Sequence, residues 1–263
     1  FKTNYSLVSM ARIVAIVSGK GGVGKTTLAS NLGAVLSEFG KKTVIVDGNV
    51  TTPNISLHLG IPFSPVTLHD VLRGDAHIRD AIYKHPKGFS IVPGSISLND
   101  IRDINLDNLS EALKHLESNT EIILLDAPAG LGKETLKSIE VAHDILIITN
   151  PDIPSVTEAL KVKELATSLG KNVLGVVVNR IRREKVELSE EEISDILELP
   201  IIGKIPEDPF VHHSIMNKTP VVFFNPNSPS SIAFKKLGAD LIGEEIEMEG
   251  LGLFQRLINW LRR

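Results

Sequence analysis

Residues 13–27 read Ile13-Val14-Ala15-Ile16-Val17-Ser18-Gly19-Lys20-Gly21-Gly22-Val23-Gly24-Lys25-Thr26-Thr27, and three kinds of structure follow one another within them. The first five residues are aliphatic without alternation, as in a strand covered on both faces. A glycine-rich loop comes next. Beyond it Leu28, Leu32, Val35, Leu36 and Phe39 recur at helical spacing, and Gly40 closes the helix. Strand, loop, Lys-Thr and helix in that order separate a phosphate loop from a chance glycine-rich turn. The glycines let the backbone N–H groups of Gly21, Gly22, Val23 and Gly24 converge on phosphate oxygens. The helix N-terminus adds its positive end. In this arrangement Lys25 bridges the terminal phosphates, the Thr26 hydroxyl ligates Mg²⁺, and Thr27 reaches the α-phosphate.

Outward from this stretch, aliphatic runs alternate with amphipathic helical patterns. The runs are Thr43–Asp47, Ser90–Pro93, Ile122–Asp126, Ile145–Thr149, Val173–Asn179 and Ile201–Pro206. Ser189-Glu190-Glu191-Glu192 is a capping box for a helix through Leu197, and Ser228-Pro229 starts another that carries Ile232, Leu237 and Leu241. Repeated βα units predict an α/β fold, three-layer and doubly wound, on a mostly parallel sheet with right-handed crossovers. Ligands in such sheets sit beyond the carboxyl ends of the strands. At 263 residues and 42% hydrophobic the chain can bury a full core without staples. It has no cysteine, which excludes disulfides and Cys-ligated zinc or iron–sulfur centres and suits a reducing cytoplasm. A net charge of −4 gives no argument for nucleic acid, and no apolar run reaches the about 18 residues of a membrane span. Met10-Ala11-Arg12 looks like a natural start, so residues 1–9 read as a tag or upstream extension and residues 10–248 as the globular domain.

Lys20 adds a second positive charge inside the loop, where one lysine already serves. Lys20-Gly21-Gly22-Val23-Gly24-Lys25-Thr26-Thr27 resembles the deviant Walker A loop of the MinD/ParA ATPases, within the P-loop NTPase fold, and the resemblance covers nearly all of residues 10–263. It implies an ATP-sandwiched homodimer in which Lys20 reaches the partner's phosphates.

Carboxylates at strand tips complete a metal site. Asp47 ends the second run and Asp126 the fourth, a Walker B arrangement that would hold Mg²⁺ water ligands; the competing reading is two helix N-caps. Ala127-Pro128-Ala129-Gly130 resembles the family's switch II, and residues 50–60 its switch I. The family pattern after the second strand is Asp-x-Asp, its second acid associated with activating the attacking water, whereas this chain has Asp47-Gly48-Asn49. Asn carries no negative charge and is a poor proton acceptor. Weak hydrolysis with retained ATP binding is therefore predicted. An introduced change that traps ATP and natural variation in a slow ATPase both fit, and the atypical N-terminus favours the first. Asn54 contacts either the γ-phosphate water or the partner chain, or else is a helix N-cap. The resemblance implies that Asn179, Pro206 and Glu207 frame the base, on strands expected beside the phosphate-loop strand. No Asn-Lys-x-Asp guanine motif exists, so ATP is preferred over GTP.

The tail is the second strong signal. Over residues 249–263 an amphipathic helix is predicted: Leu251, Leu253, Phe254, Leu257, Ile258, Trp260 and Leu261 share one half, while Gln255, Arg256, Asn259, Arg262 and Arg263 share the other. Aromatic and aliphatic residues opposite a cationic face describe an in-plane helix on anionic lipid, although amphipathic terminal helices also dock on their own domain. The tail resembles a MinD membrane-targeting sequence. Together these imply a MinD-type, membrane-associated ATPase, cytoplasmic and reversibly on the inner face of the cell membrane, that positions division or other surface-bound machinery with an activator or cargo partner yet to be identified. The alternatives are an ATP-dimerised scaffold and a flagellar-number or ParA-like partitioning ATPase. The eight histidines read as structural or solvated, and Arg180–Arg183 as a solvated loop.

Overall fold

The computed structural model describes residues 11–61 and 63–244. The readings of residues 1–9 as an extension and of 249–263 as a membrane helix lie outside them. The elements in chain order are β1 (Arg12–Ser18), α1 (Lys25–Glu38), β2 (Thr43–Asp47), α2 (Ile55–Leu59), α3 (Leu68–Arg73), β3 (Tyr83–Lys84), β4 (Ser90–Val92), α4 (Asn108–Lys114), β5 (Ile122–Ala129), α5 (Lys133–Val141), β6 (Asp144–Thr149), α6 (Ile153–Ser168), β7 (Asn172–Ile181), α7 (Glu190–Leu197), β8 (Ile201–Pro206), α8 (Pro209–Met216), α9 (Val221–Phe224) and α10 (Pro229–Ile242).

One sheet runs in the order β3-β4-β2-β5-β1-β6-β7-β8, and every pairing is parallel except β3 with β4. Side chains alternate between two cores. Ile13, Ala15 and Val17 enter the core on one face of the sheet with Ile123, Leu125, Ile145 and Ile147. Val14 and Ile16 enter the other with Leu124, Leu146 and Ile148, under Leu28, Leu32, Val35 and Leu36 of α1. Helices cover both faces, which is why the strands carry apolar residues on both. All seven predicted runs are strands. The two-residue β3, an antiparallel edge, left no signal in the sequence.

The capping predictions hold. The Ser189 hydroxyl accepts from the Glu192 backbone N–H, and the Glu192 carboxylate accepts from that of Ser189. The Ser228 hydroxyl accepts from the Ser231 N–H at the start of α10. One placement is corrected. β7 and β8 do not lie directly beside β1: β6 intervenes, paired with β1 on one side and β7 on the other. At ten residues β7 outruns β6, and its end still returns to the loop after β1.

Candidate functional site

The sheet order brings the ends of β1, β2 and β5 together. Asp47 and Asp126 are register partners across β2 and β5, and Asp126 also stands opposite Ile16 of β1. Both carboxylates are buried. The Asp126 Oδ2 accepts from the Thr26 hydroxyl at 2.6 Å, and the Asp47 Oδ2 accepts from the backbone N–H groups of Asn54 (3.0 Å) and Ile55 (3.1 Å). Asp47 therefore both ends a strand, where the sequence analysis expects a metal, and caps α2. Asn54 occupies the N-cap position without a capping bond, its own amide donating to the Thr52 carbonyl at 2.8 Å.

The remaining oxygens, Asp47 Oδ1 and Asp126 Oδ1, are buried without a partner. Two like charges in low dielectric favour protonation. Burial pushes Asp126 up to about 6, against the Thr26 bond and the Lys25 ammonium. Burial, then the charge of Asp126, pushes Asp47 well above the usual carboxylate range. An Mg²⁺ fits this donor set, since oxygen ligands and their water shells are what it takes. Among the described residues no group of three or more His, Asp or Glu could hold a metal by itself. A cation here would need further oxygens, which a phosphate supplies.

The loop itself is held from below. The Lys25 ammonium, mostly buried, donates to the Ser18 hydroxyl at 2.7 Å, and the Ser18 hydroxyl donates to the Lys20 carbonyl at 2.8 Å. Burial lowers the Lys25 pKa and Asp126 opposes that. Gly24 has φ 106°, and a Cβ there would run into the Asn179 amide nitrogen. That amide donates to the Val23 carbonyl at 2.7 Å, so Asn179 props the loop from 156 residues away. Gly19 passes so close to the α6 backbone at Glu158 that a side chain cannot fit.

Above the loop lies a cleft of about 650 Å³ lined by Gly21, Gly22, Gly24, Lys25, Thr26 and Thr27, by the post-β2 loop at Asn49 and Asn54, and by Pro128 and Glu134. It shares Gly24, Thr27, Arg180 and Ile215 with a second cavity of about 270 Å³, which Asn179, Pro206 and Glu207 line. A large polar basin thus meets a smaller chamber at the waist formed by Arg180. The predicted phosphate and base residues come together here. Lys20 does not line the cleft: its ammonium lies 3.8 Å from Asp152, on the outer rim. Val23 is buried behind the loop and offers its carbonyl to Asn179.

Asn49 is tied into its own turn. Its amide nitrogen donates to the Thr52 carbonyl (2.7 Å), and its oxygen accepts from the Thr52 N–H (3.2 Å). Four cleft residues escaped the sequence reading. The Thr51 hydroxyl donates to the Glu134 carboxylate at 2.6 Å, linking the loop after β2 to the start of α5. His58 lines the cleft, and burial lowers its pKa. Arg180, read as part of a solvated loop, sits at the waist with φ 57°. Thr51–Glu134 is a contact across 83 residues that no local pattern announces.

Comparison with known proteins settles the lineage. Residues 14–221 match the family model described as the CobQ/CobB/MinD/ParA nucleotide binding domain. The chain belongs to this family. It is 42% identical over 240 residues, 91% of each chain, to an uncharacterised ATP-binding protein of Methanocaldococcus jannaschii. Among solved structures, the cell division ATPase MinD of Pyrococcus furiosus superposes with a TM-score of 0.86 at 36% identity, covering 89% of this chain and 99% of that one. The septum site-determining protein MinD of Pyrococcus horikoshii, complexed with Mg-ADP, gives 0.85 at 35%, covering 92% and 98%. This MinD/ParA chain carries the MinD fold, and relatives of MinD type are cell-division ATPases. Among its described residues no helix is long and apolar enough to cross a membrane.

Proposed function

We propose that this chain binds ATP with Mg²⁺ in the cleft, dimerises on it, and as a dimer associates with anionic membrane to position division or other surface-bound machinery. The observation that carries the reading is the pair of buried Asp47 and Asp126 carboxylates, each with an unpartnered Oδ1, beside Lys25 and Thr26. Lys25 and the loop N–H groups of Gly21, Gly22, Val23 and Gly24 hold the β- and γ-phosphates. Thr27 takes the α-phosphate, and Asn179, Pro206 and Glu207 take the base. Thr26, with Asp47 and Asp126 behind it, would hold Mg²⁺, which would neutralise charge on the β- and γ-phosphates. Lys20 stands on the rim, half-exposed, where a second subunit would approach; its weak pairing to Asp152 is readily exchanged for phosphate.

A single membrane helix in residues 249–263 binds weakly, and two on a dimer act together with gains of roughly 10²–10⁴. Vesicle sedimentation with ATP and with ADP tests the switch: binding in ATP alone is the expected result. Equal binding in both states removes the switch, and binding that survives deletion of residues 250–263 removes the tail's role.

A second reading, an ATP-dimerised scaffold, is favoured by Asn49. Its side chain lacks the charge of an acid and is occupied by Thr52. Asn49→Asp restores a proton acceptor, a contribution of roughly 10²–10⁴ in rate. Turnover rising on that scale supports an ATPase slowed at this position; unchanged turnover shows that Asn49 is not the limiting defect.

A further inference from the structure

β8 is the last strand of the sheet, and its outer edge pairs with nothing among the described residues. Beside it, Ile201, Ile202, Lys204, Pro229, Ile232 and Lys236 line a groove of about 550 Å³ between β8 and α10. Its α10 side runs the whole helix: Pro229, Ile232, Ala233, Lys236, Leu237 and Asp240 recur at spacings of three and four. An open strand edge beside a half-buried apolar helix face is a place natural proteins cover with a helix or loop.

We propose that this groove is the docking site of the chain's own C-terminal amphipathic segment, residues 251–263. Continuity supports the choice. α10 ends at Ile242, where Gly243 turns the chain in the left-handed region with φ 69°. The eight residues 243–250 are by number within the about 2–8 that commonly join antiparallel helices. Length supports it as well. The 14 residues of α10 span about 21 Å, and 13 helical residues span about 20 Å. An antiparallel return in the proposed docking would bring Phe254 to Lys236, Leu257 and Ile258 to Ile232 and Ala233, and Leu261 to Pro229. Charge does not oppose it: of the groove's Lys204, Lys236 and Asp240, Lys204 is already paired with Glu190 at 3.0 Å, and Arg256, Arg262 and Arg263 share the half of the predicted helix opposite its apolar residues. The apolar half that would enter lipid cannot occupy the groove at the same time, so docking holds the tail back. That consequence rests on the membrane reading. The docking itself does not, and its test uses no lipid, so the two fail separately.

The chain has no cysteine, which gives an empty background for disulfide trapping. Two double variants, Ile232→Cys with Leu257→Cys and Ala233→Cys with Ile258→Cys, are oxidised with MgADP present, against the control pair Ile232→Cys with Asn259→Cys. A disulfide needs Cα atoms within about 7 Å. The expected result is a bond within one chain, unaffected by dilution, in at least one double variant and absent from the control. Bonds in neither double variant, bonds only between chains, or equal bonding in the control would overturn the proposal. A second readout needs no disulfide. Ile232→Glu should speed tryptic cleavage after Arg256 roughly tenfold, the loss of about 1.4 kcal/mol of protection. An unchanged cleavage rate in a variant that still binds nucleotide would equally overturn it.

Discussion

The two halves of the cleft are built in different ways. The proposed phosphate half draws on one contiguous loop and three neighbouring strands, β1, β2 and β5, so its charged groups stand in register. The proposed base half is assembled from the ends of β7 and β8, α8 and Phe234 of α10. The first is rigid and electrostatically loaded: Lys25, Asp47 and Asp126 all depart from ordinary pKa values because burial penalises their charges. The second is milder, its acid–base contacts being the loose approaches of Arg180 (4.0 Å) and Arg182 (3.9 Å) to Glu207. Affinity should therefore reside in the phosphate half and nucleotide choice in the base half.

That division can be broken. The largest effect is expected from Lys25→Ala, which removes a charge-assisted contact worth about 1.5–3 kcal/mol and leaves Asp126 without its counter-charge. ATP affinity should fall roughly 10²-fold in a calorimetric titration, with GTP affected alike; a loss confined to one base would contradict the division. Asn179→Ala comes next. It leaves the Val23 carbonyl buried without its partner, at a cost of about 1–3 kcal/mol. Affinity should fall about tenfold, and any ATP-over-GTP preference should fall with it. Because Asn179 also props the loop, an effect equal for both nucleotides would make it a support for the phosphate half rather than a reader of the base.

Asp126→Asn sharpens the electrostatic side. The folded pKa of Asp126 is raised to about 6 from the ordinary 3.8, so its contribution to stability is full below about pH 4 and is lost as pH rises through about 6. In thermal melts without nucleotide, wild type should lose ground to Asp126→Asn across that window, by roughly 2–4 °C per kcal/mol. Parallel curves from pH 4 to 8 would show that the pair is not strained. The smallest effect is expected at Thr51→Val. It removes a half-exposed bond to Glu134 worth about 0.5–1.5 kcal/mol and should change ATP affinity less than about threefold, measured in the same titration.

How legible each part was follows from the same contrast. The phosphate loop could be read because nine consecutive residues carry it, and the parallel strands because apolar residues on both faces leave long runs. Asp47 and Asp126 were legible as strand-end acids or helix caps; that Asp47 is both at once, and that β5 runs on from Asp126 to Ala129, was not, since the Asp47 bonds cross a loop of polar residues and Ala127-Pro128-Ala129 carries no strand pattern. The base residues were named from family resemblance, and the structure places Asn179, Pro206 and Glu207 around one chamber. It also gives Asn179 a structural task that its position in the sequence did not suggest. Lys20 was read as reaching a partner's phosphates; in the single chain it lies 3.8 Å from Asp152, a contact across 132 residues between the loop after β1 and the start of α6 that no local pattern announces.

The most direct test of the account is the Mg²⁺ dependence of ATP binding in wild type and in the Asp47→Asn, Asp126→Asn double variant, measured by titration calorimetry. If the unpartnered oxygens serve a metal, Mg²⁺ should tighten ATP binding to wild type by roughly tenfold or more, at least about 1.4 kcal/mol, and barely change binding to the variant. The same gain from Mg²⁺ in both proteins would contradict the assignment of the two buried carboxylates.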